Sequence, residues 1–327
     1  MTKKPQEPCF VRPDSGSISG MKRFSHEAMA TTFELIIIHD DERYARQAAT
    51  AAFEEVDRLE GQLSRFIENS DISRINNLPV DRPLVLGLDA FECLRMSVKM
   101  YAETNGAFDV TIGSLLKCWR DEDGDPRTPS GEELNFARLH TGSNLLQLDE
   151  REHTVRLAAS PVLVDLGGIG KGYAVDRVAE LLRQWSIETV LISGGYSSVL
   201  ALEAPSGTDG WFLTLSDPLD HRRILARPHL RNGALGGSGV QKGGHIISPR
   251  TGRPVQGKRA AWSAAPDATT ADALSTAFMI MESEEIRRYC SFHPDRKAMV
   301  MLLEKDETTQ KDKILHFGSW RQDELGE

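Results

Sequence analysis

The spacing of apolar residues along the chain predicts a mixture of strands and helices. Residues 31–38 are β-branched or apolar and end at a polar His-Asp-Asp stretch, which predicts a strand. Between about 42 and 63, alanine, valine and leucine recur every three or four positions, the spacing of a helix with one buried face. The same spacing over 88–103 predicts a second helix, which ends near Asn105-Gly106.

Further along the chain, shorter periodic segments alternate with stretches rich in glycine and polar residues. We predict strands at 153–158, 161–165, 188–193, 198–203, 211–216, 297–303 and 313–317, and helices at 171–185 and 270–281. The polar stretch 121–135 predicts a surface excursion, and the glycine-dense stretch 233–244 predicts a loop. Because the elements alternate without a strict βαβ rhythm, we expect an α+β fold with mixed sheets and packed helices.

The first 22 residues differ in composition from the rest. They are rich in proline, serine and glycine, which predicts a flexible leader before one folded domain at 23–327. The N-terminus carries lysines but no apolar stretch behind them, so we expect no signal peptide, no lipid attachment at Cys9 and a cytoplasmic location. No run of eighteen apolar residues occurs, so we expect no transmembrane segment.

Composition narrows the classes of protein that fit. Of 327 residues, 40% are hydrophobic and 27% charged, as in ordinary soluble globular proteins. The formal net charge of −9 argues against a nucleic-acid partner, which would require a basic face. The four cysteines are scattered, without the spacing of a metal site, which predicts reduced thiols rather than disulfides.

One segment that could bind an anion spans residues 162–176. An apolar strand ends at Asp165, the chain turns through three glycines, and a helix begins with Lys171 in its first turn. Glycines let backbone N–H groups approach an anion, and the helix dipole and the lysine both favour negative charge. The spacing matches neither a Walker loop nor a Rossmann fingerprint. The segment alone is equally compatible with a tight turn that carries a solvated lysine.

A second segment, 269–278, could hold a cation. Asp272 and Thr276 are four residues apart, so on a helix they share one face. A carboxylate and a hydroxyl suit Mg²⁺, which keeps waters and takes phosphate oxygens from its substrate. Taken alone, such pairs are more often an aspartate near a helix N-terminus and a threonine bonded to its own backbone.

Two further segments are informative only in combination with the others. In 243–254, His245 follows glycines and could act as a general base near pH 7, although an isolated histidine is also common in purely structural roles. The Pro-Arg-Thr-Gly run after it predicts a rigid turn that exposes Arg250. In 104–113, a helix is predicted to end and a short strand to begin with Phe108 and Asp109.

Taken together and in this order, these four segments resemble the motifs of the ApbE family. The family pattern runs Thr-Gly-Gly-Ala-Phe-Asp, Asp-Leu-Gly/Ser-Gly/Ala-Ile-Ala-Lys-Gly-Tyr, His-Ile-Ile-Asp-Pro-Arg-Thr-Gly and Ala-Asp-Ala-Leu-Ala-Thr-Ala. The chain has the corresponding runs at 104–109, 165–173, 245–252 and 271–277. The resemblance extends to Met29 in an early Met-Ala-Thr and covers nearly everything except the leader. It implies an α+β architecture related to the T-fold.

The resemblance also implies an activity: Mg²⁺-dependent transfer of FMN from FAD to a serine or threonine hydroxyl of an acceptor flavoprotein, with release of AMP. The residues implied to hold FAD are Met29, Phe66, Ala107, Phe108, Asp109, Asp165, Lys171, His245 and Ile246. Those implied to bind Mg²⁺ are Gly168, Asp272, Ser275 and Thr276. Catalytic roles are implied for His245, which would take the hydroxyl proton, and for Lys171 and Asp272.

The chain departs from the family pattern at a few positions. Phe66 stands where the family often has tyrosine, and Ser248 replaces the aspartate of the His-x-x-Asp-Pro run. Two alternative functions therefore stay open at the level of sequence. One is a non-catalytic FAD-binding protein, and the other is a Mg²⁺-dependent pyrophosphatase that converts FAD to FMN and AMP.

Overall fold

The structure is a computed structural model that describes residues 11–13, 20–121, 124–220, 222–240, 246–305 and 312–325. Within these ranges the α-helices are α1 (Glu42–Leu63), α2 (Asp71–Asn76), α3 (Leu88–Glu103), α4 (Gly113–Cys118), α5 (Gly131–Leu139), α6 (Gly170–Gln184), α7 (Ala268–Ile280) and α8 (Ser283–Phe292). None of the helices in this part of the chain is both long enough and apolar enough to cross a membrane.

The strands of the described ranges form three sheets. They are β1 (Val11–Pro13), β2 (Met21–Ala28), β3 (Thr31–Ile38), β4 (Leu84–Val85), β5 (Leu146–Asp149), β6 (Thr154–Leu157), β7 (Val190–Gly194), β8 (Ser198–Ala201), β9 (Trp211–Ser216), β10 (Ile224–Ala226), β11 (His229–Leu230), β12 (Gly233–Gly239), β13 (Lys258–Ala265), β14 (Lys297–Lys305) and β15 (Asp312–Phe317). The largest sheet has the antiparallel order β15-β14-β13-β12-β8-β7-β3-β2. The predicted α+β class is confirmed.

The large sheet is covered on both faces, which explains the continuous apolar run of β3. Leu35 and Ile37 point into the core beneath α1, α6 and α7, whereas Ile36 points to the opposite face. There it packs with Trp211 and Leu213 of the small sheet formed by β1, β9, β10 and β11. A strand buried on both faces loses the usual alternation of apolar and polar residues.

The two strongest periodic patterns are confirmed. Helix α1 buries four of its five alanines together with Val56 and Leu59, and its N-cap Asp41 accepts the N–H of Tyr44 at 3.0 Å. Helix α3 ends with Thr104 as its C-terminal cap, just before the predicted Asn-Gly signal. Cys93, Cys118 and Cys290 are buried and form no disulfide in the part of the chain that the structure describes, and Cys9 lies outside it, so the reduced state of the thiols stays a prediction.

The prediction of a loop over 233–244 is wrong for its first half. Residues 233–239 form β12, near the middle of the large sheet between β8 and β13, and 241–245 lie outside the described residues. The strand is rich in glycine because helix α7 lies directly against its backbone. A β-carbon on Gly236 would lie 2.2 Å from the carbonyl oxygen of Ala271, so this strand position accepts only glycine.

Other local predictions are also wrong. Residues 161–165 form no strand but a single parallel bridge between Leu163 and Ile112, and helix α4 stands where a short strand was expected after Asp109. Neither β13 nor α8 was predicted. The alanine-rich residues of β13 lack a strand pattern, and α8 begins with a capping box between Glu282 and Glu285. Residues 11–13 of the predicted leader pair with β9, and the proposed domain boundary stays a prediction.

The contact between α6 and α7 depends on Gly172. A β-carbon there would lie 2.2 Å from the carbonyl oxygen of Ala268 and 2.8 Å from Cβ of Asp272. We therefore expect Gly172→Ala to force the helices apart and to lower the free energy of unfolding by about 3 kcal/mol, measured by urea denaturation.

The matched control is Gly61→Ala, in the exposed part of α1. Nothing lies within 4 Å of the added carbon there, so a gain of about 0.5–1 kcal/mol is expected from helix propensity alone. A Gly172→Ala protein as stable as the wild type would contradict the packing described here.

Candidate active site

A cleft of about 890 Å³ opens between the ends of several strands of the large sheet and helices α4, α6 and α7. Its floor is the N-terminal turn of α6, one face of α7 and the end of β12. Its walls come from the turn at Met29 and from the Ala107–Asp109 segment, and Arg65 and Phe66 form part of its rim. The volume lies at the upper end of the range for small-molecule sites.

The polar centre of the floor is Asp272 of α7. Its side chain is almost fully buried, with 3% of its surface exposed, and Oδ2 accepts the backbone N–H of Gly172 at 3.0 Å. Nζ of Lys171 lies 3.8 Å from the same oxygen and donates to the carbonyl of Gly167 at 3.3 Å. A buried carboxylate and a lysine from different helices therefore meet at one point of the cleft.

A group of hydroxyls lies one turn further along α7. Oγ of Ser238, from β12, lies 2.8 Å from Oγ of Ser275 and 3.1 Å from Oγ1 of Thr276. Ser275 is fully buried and donates to the carbonyl of Asp272, so it lies beneath the floor, whereas Thr276 lines the cleft. The backbone of Gly168 faces Thr276, since a β-carbon on Gly168 would lie 3.0 Å from Oγ1 of that threonine.

Asp109 fixes one wall. It is buried, and its Oδ1 accepts the N–H of Thr111 at 2.8 Å and the hydroxyls of Thr111 and Ser143 at 2.7 Å each. Burial raises the pKa of Asp109, and the hydrogen bonds oppose that rise. The N–H of Phe108 donates to the hydroxyl of Thr104 at 3.0 Å, so the whole 104–111 segment is held by its own side chains.

The rim carries an exposed aromatic ring beside an ion pair. Phe66 is 82% exposed, and the guanidinium of Arg65 lies 4.3 Å from the centre of its ring. Nε of Arg65 lies 2.8 Å from Oδ2 of Asp165, whose Oδ1 accepts the N–H of Gly167 at 2.7 Å. Asp165 thus joins the rim to the glycine turn that leads into α6.

The prediction that the turn exposes Arg250 is wrong. Its Nη1 donates to the carboxylate of Glu285 at 2.8 Å, and Nη2 donates to the carbonyl of Thr104 at 2.8 Å. The arginine therefore fastens the turn at 248–252 to the C-terminus of α3. Ser248, which replaces the family's aspartate, still serves this turn, because its Oγ accepts the N–H of Thr251 at 3.3 Å.

The donors on the floor fit a hard divalent cation. One carboxylate, one hydroxyl and a glycine backbone offer only oxygen, the ligand type that Mg²⁺ prefers. Across the described ranges, no three His, Cys, Asp or Glu residues come together as a protein-only metal site. A cation here would therefore need further oxygens from water or from the phosphates of a ligand.

The structure brings together nearly all of the predicted site residues that it describes. Those that line the cleft are Met29, Phe66, Ala107, Phe108, Asp109, Asp165, Gly168, Lys171, Ile246, Asp272 and Thr276. Ser275 lies directly behind them, and His245 lies outside the described residues. Sequence reasoning missed Arg65 and Ser238, which line the cleft, although Arg65 stands directly beside Phe66, which the resemblance did indicate.

Sequence reasoning also assigned no role to Lys258 of β13. It is buried, and its ammonium donates to the carbonyl of Phe278 at 2.9 Å and to that of Met281, so it caps the C-terminus of the helix that carries Asp272. Burial lowers the pKa of Lys258 to about 8.

This depressed pKa predicts a dependence of stability on pH. Between pH 8 and 10, the unfolded chain holds the Lys258 proton and the folded chain loses it, so rising pH favours the folded state. We expect the free energy of unfolding of the wild type, minus that of Lys258→Met, to increase by about 2 kcal/mol over this range. Urea denaturation at both pH values measures it; a flat or falling difference would contradict the burial of a charged lysine.

Known proteins are similar to this chain over the whole segment that contains the described residues of the cleft. The model of the ApbE family matches residues 29–301. FAD:protein FMN transferase from Haemophilus influenzae is 27% identical over 80% of this chain and 81% of its own length, and the enzyme of that name from Vibrio cholerae is 29% identical over 70% and 73%. The crystal structure of the ApbE protein from Thermotoga maritima superposes with a TM-score of 0.79 at 26% identity, covering 91% of this chain and 97% of that one.

Proposed function

Because this chain belongs to the ApbE family, we propose that it is an FAD:protein FMN transferase, which moves FMN from FAD to a hydroxyl of an acceptor protein and releases AMP. The observation that carries the proposal is the floor of the cleft, where Lys171 and Asp272 meet beside Thr276 and the backbone of Gly168. These groups come from two helices and a glycine turn, and together they suit a pyrophosphate and its cation.

The proposed reaction breaks the phosphoanhydride bond of the FAD pyrophosphate and forms a phosphoester bond to the acceptor. The oxygen of the acceptor hydroxyl attacks the phosphorus of the FMN half and loses its proton. The bond from that phosphorus to the bridging oxygen breaks, and AMP leaves with the electron pair. Lys171 stabilises the negative charge that develops on the phosphate oxygens, because a positive charge positioned beforehand costs no reorganisation during the reaction.

The walls and rim would hold the rest of FAD. In this proposal the dinucleotide contacts Met29, Phe66, Ala107, Phe108, Asp109, Asp165, Lys171 and Ile246. Phe66 offers an exposed ring face to the flavin, and Met29 and Phe108 offer apolar contacts further in. His245 stays the predicted binder and proton acceptor, outside the described residues.

The floor would also hold Mg²⁺. We assign Asp272, Thr276 and the backbone of Gly168 to direct contact with it, and Ser275 to the layer behind them, where it fixes Ser238, which in turn lies against Thr276. When bound, Mg²⁺ neutralises phosphate charge and polarises the phosphorus for attack. Asp272 would supply the only carboxylate to the ion, which leaves room for phosphate oxygens.

The remaining parts of the proposal concern context. The acceptor is a flavoprotein with a serine or threonine in its attachment motif, and neither nucleic acid nor a membrane-spanning segment takes part. We place the enzyme in the cytoplasm, with residues 1–22 as a leader and 23–327 as the transferase domain related to the T-fold.

The test is release of AMP from FAD, measured with and without Mg²⁺ and with and without a flavoprotein that carries an exposed serine or threonine motif. We expect AMP only when both are present, together with acceptor that becomes covalently fluorescent. AMP without acceptor would indicate a pyrophosphatase instead. Tight FAD binding with no AMP under any condition would indicate a binding protein and overturn the proposal.

A further inference from the structure

The first turns of α6 and α7 are linked by two carboxylates, one from each helix. Each carboxylate accepts hydrogen bonds from backbone N–H groups of the other helix. Asp272 of α7 accepts the N–H of Gly172, in the first turn of α6, at 3.0 Å. Asp176 of α6 accepts the N–H groups of Ala268 and Thr269, in the first turn of α7, at 2.8 Å each, and also the hydroxyl of Thr269. Each helix therefore satisfies backbone donors at the start of the other.

The N-terminus of α7 has a second carboxylate of a different kind. Asp267 is the N-cap residue of α7 itself and accepts the N–H of Thr270 at 2.7 Å and its hydroxyl at 3.0 Å. Both aspartates favour the same helix end, through its unpaired N–H groups and its dipole. Of these two aspartates only Asp176 comes from the neighbouring helix, so Asp176, together with the bond from Gly172 to Asp272, also fixes where α7 stands relative to α6.

That relative position determines the geometry of the cleft floor. Lys171 is on α6 and Asp272 is on α7, and Thr276 must approach Gly168, which precedes α6. The absence of a side chain at Gly172 permits the contact of the two helices but does not hold it. Burial raises the pKa of Asp176 to about 6, so at pH 7 the group is mainly the carboxylate that these donors need.

We propose that Asp176 is a positioning residue for the cation and pyrophosphate site, which it serves by holding the first turn of α7 against α6 without contacting either ligand. The inference rests on the proposed function. Groups that orient metal ligands from outside typically change metal affinity about 10–100-fold when they are removed.

The experiment compares Asp176→Ala with Asp267→Ala, which removes a cap from the same helix end but leaves the link to α6. FAD fluorescence is titrated with MgCl₂ in the absence of acceptor, to give the Mg²⁺ concentration that half-saturates FAD binding, and thermal unfolding is followed in parallel. We expect both variants to unfold at a lower temperature. Only Asp176→Ala should raise the half-saturating Mg²⁺ concentration, by about tenfold or more.

Asp176→Asn keeps the inference falsifiable if Asp176→Ala does not fold. The amide retains one oxygen acceptor but turns an NH₂ group towards the other donor, so a smaller shift in the same direction is expected. An unchanged Mg²⁺ requirement in the folded Asp176 variants, or an equal shift in Asp267→Ala, would reduce Asp176 to an ordinary helix cap. A wild-type protein with no Mg²⁺ dependence would overturn the proposed function itself, and this inference with it.

Discussion

Asp272→Asn is expected to slow Mg²⁺-dependent AMP release about 10³-fold at saturating FAD and acceptor, because it removes the only carboxylate proposed to contact the cation. The substitution preserves the shape of the side chain, and its amide oxygen can still accept the N–H of Gly172. The loss should therefore appear in the rate and in the Mg²⁺ requirement, with FAD binding in the absence of Mg²⁺ little changed.

The matched control for this variant is Asp267→Asn, on the same helix but away from the lining of the cleft. Once corrected for any unfolded fraction, its rate should stay within about threefold of the wild type, because Asp267 caps the helix without lining the cleft. Equal rates for Asp272→Asn and the wild type would remove Asp272 from the proposed cation site.

Lys171→Met is expected to lower the rate about 10²-fold, because it removes a positive charge from the place where phosphate charge develops. The methionine keeps most of the length and packing of the lysine stem. Its effect should be seen chiefly in the rate at saturating FAD, since the interaction strengthens as the transition state forms. Lys171→Arg should recover part of the rate, because it returns the charge with a different geometry.

Lys99→Met serves as the control for loss of a lysine elsewhere. Lys99 lies on α3, where its ammonium is 3.8 Å from Glu103, and it does not line the cleft. Such exposed pairs contribute little, so normal activity is expected. A Lys171→Met enzyme that binds FAD poorly but turns over normally at saturation would show that this lysine only binds the ground state.

How much the sequence predicts depends on whether the determining contacts are local. Helices α1 and α3 are predicted almost to the residue, because their buried faces repeat at helical spacing over four or more turns. Strand β12 is mispredicted because glycine is a poor strand former, and its place in the sheet is determined by the backbone of a helix more than thirty residues later.

The same distinction applies to the cleft. The predicted residues that line it were indicated by motifs that are local in sequence, whereas Arg65 and Ser238 were missed. The contacts that hold those motifs together were not indicated, since Asp176 and Ala268 are 92 residues apart and Arg250 reaches a carbonyl 146 residues away. Such pairs follow from the fold, and no periodic pattern in a single sequence indicates them.

The two glycines that flank α7 have a consequence for how this enzyme can be altered. Gly172 on one side and Gly236 on the other bring main chain against main chain, with no rotamers available to absorb a new atom. A side chain added at either position would clash with backbone atoms of α7 that cannot move aside. The floor of the cleft therefore cannot be reshaped by small substitutions at these two glycines. Engineering for a different acceptor should start instead from the side chains of the rim, such as Arg65 and Phe66, where volume and charge can be exchanged without moving the helix that carries Asp272.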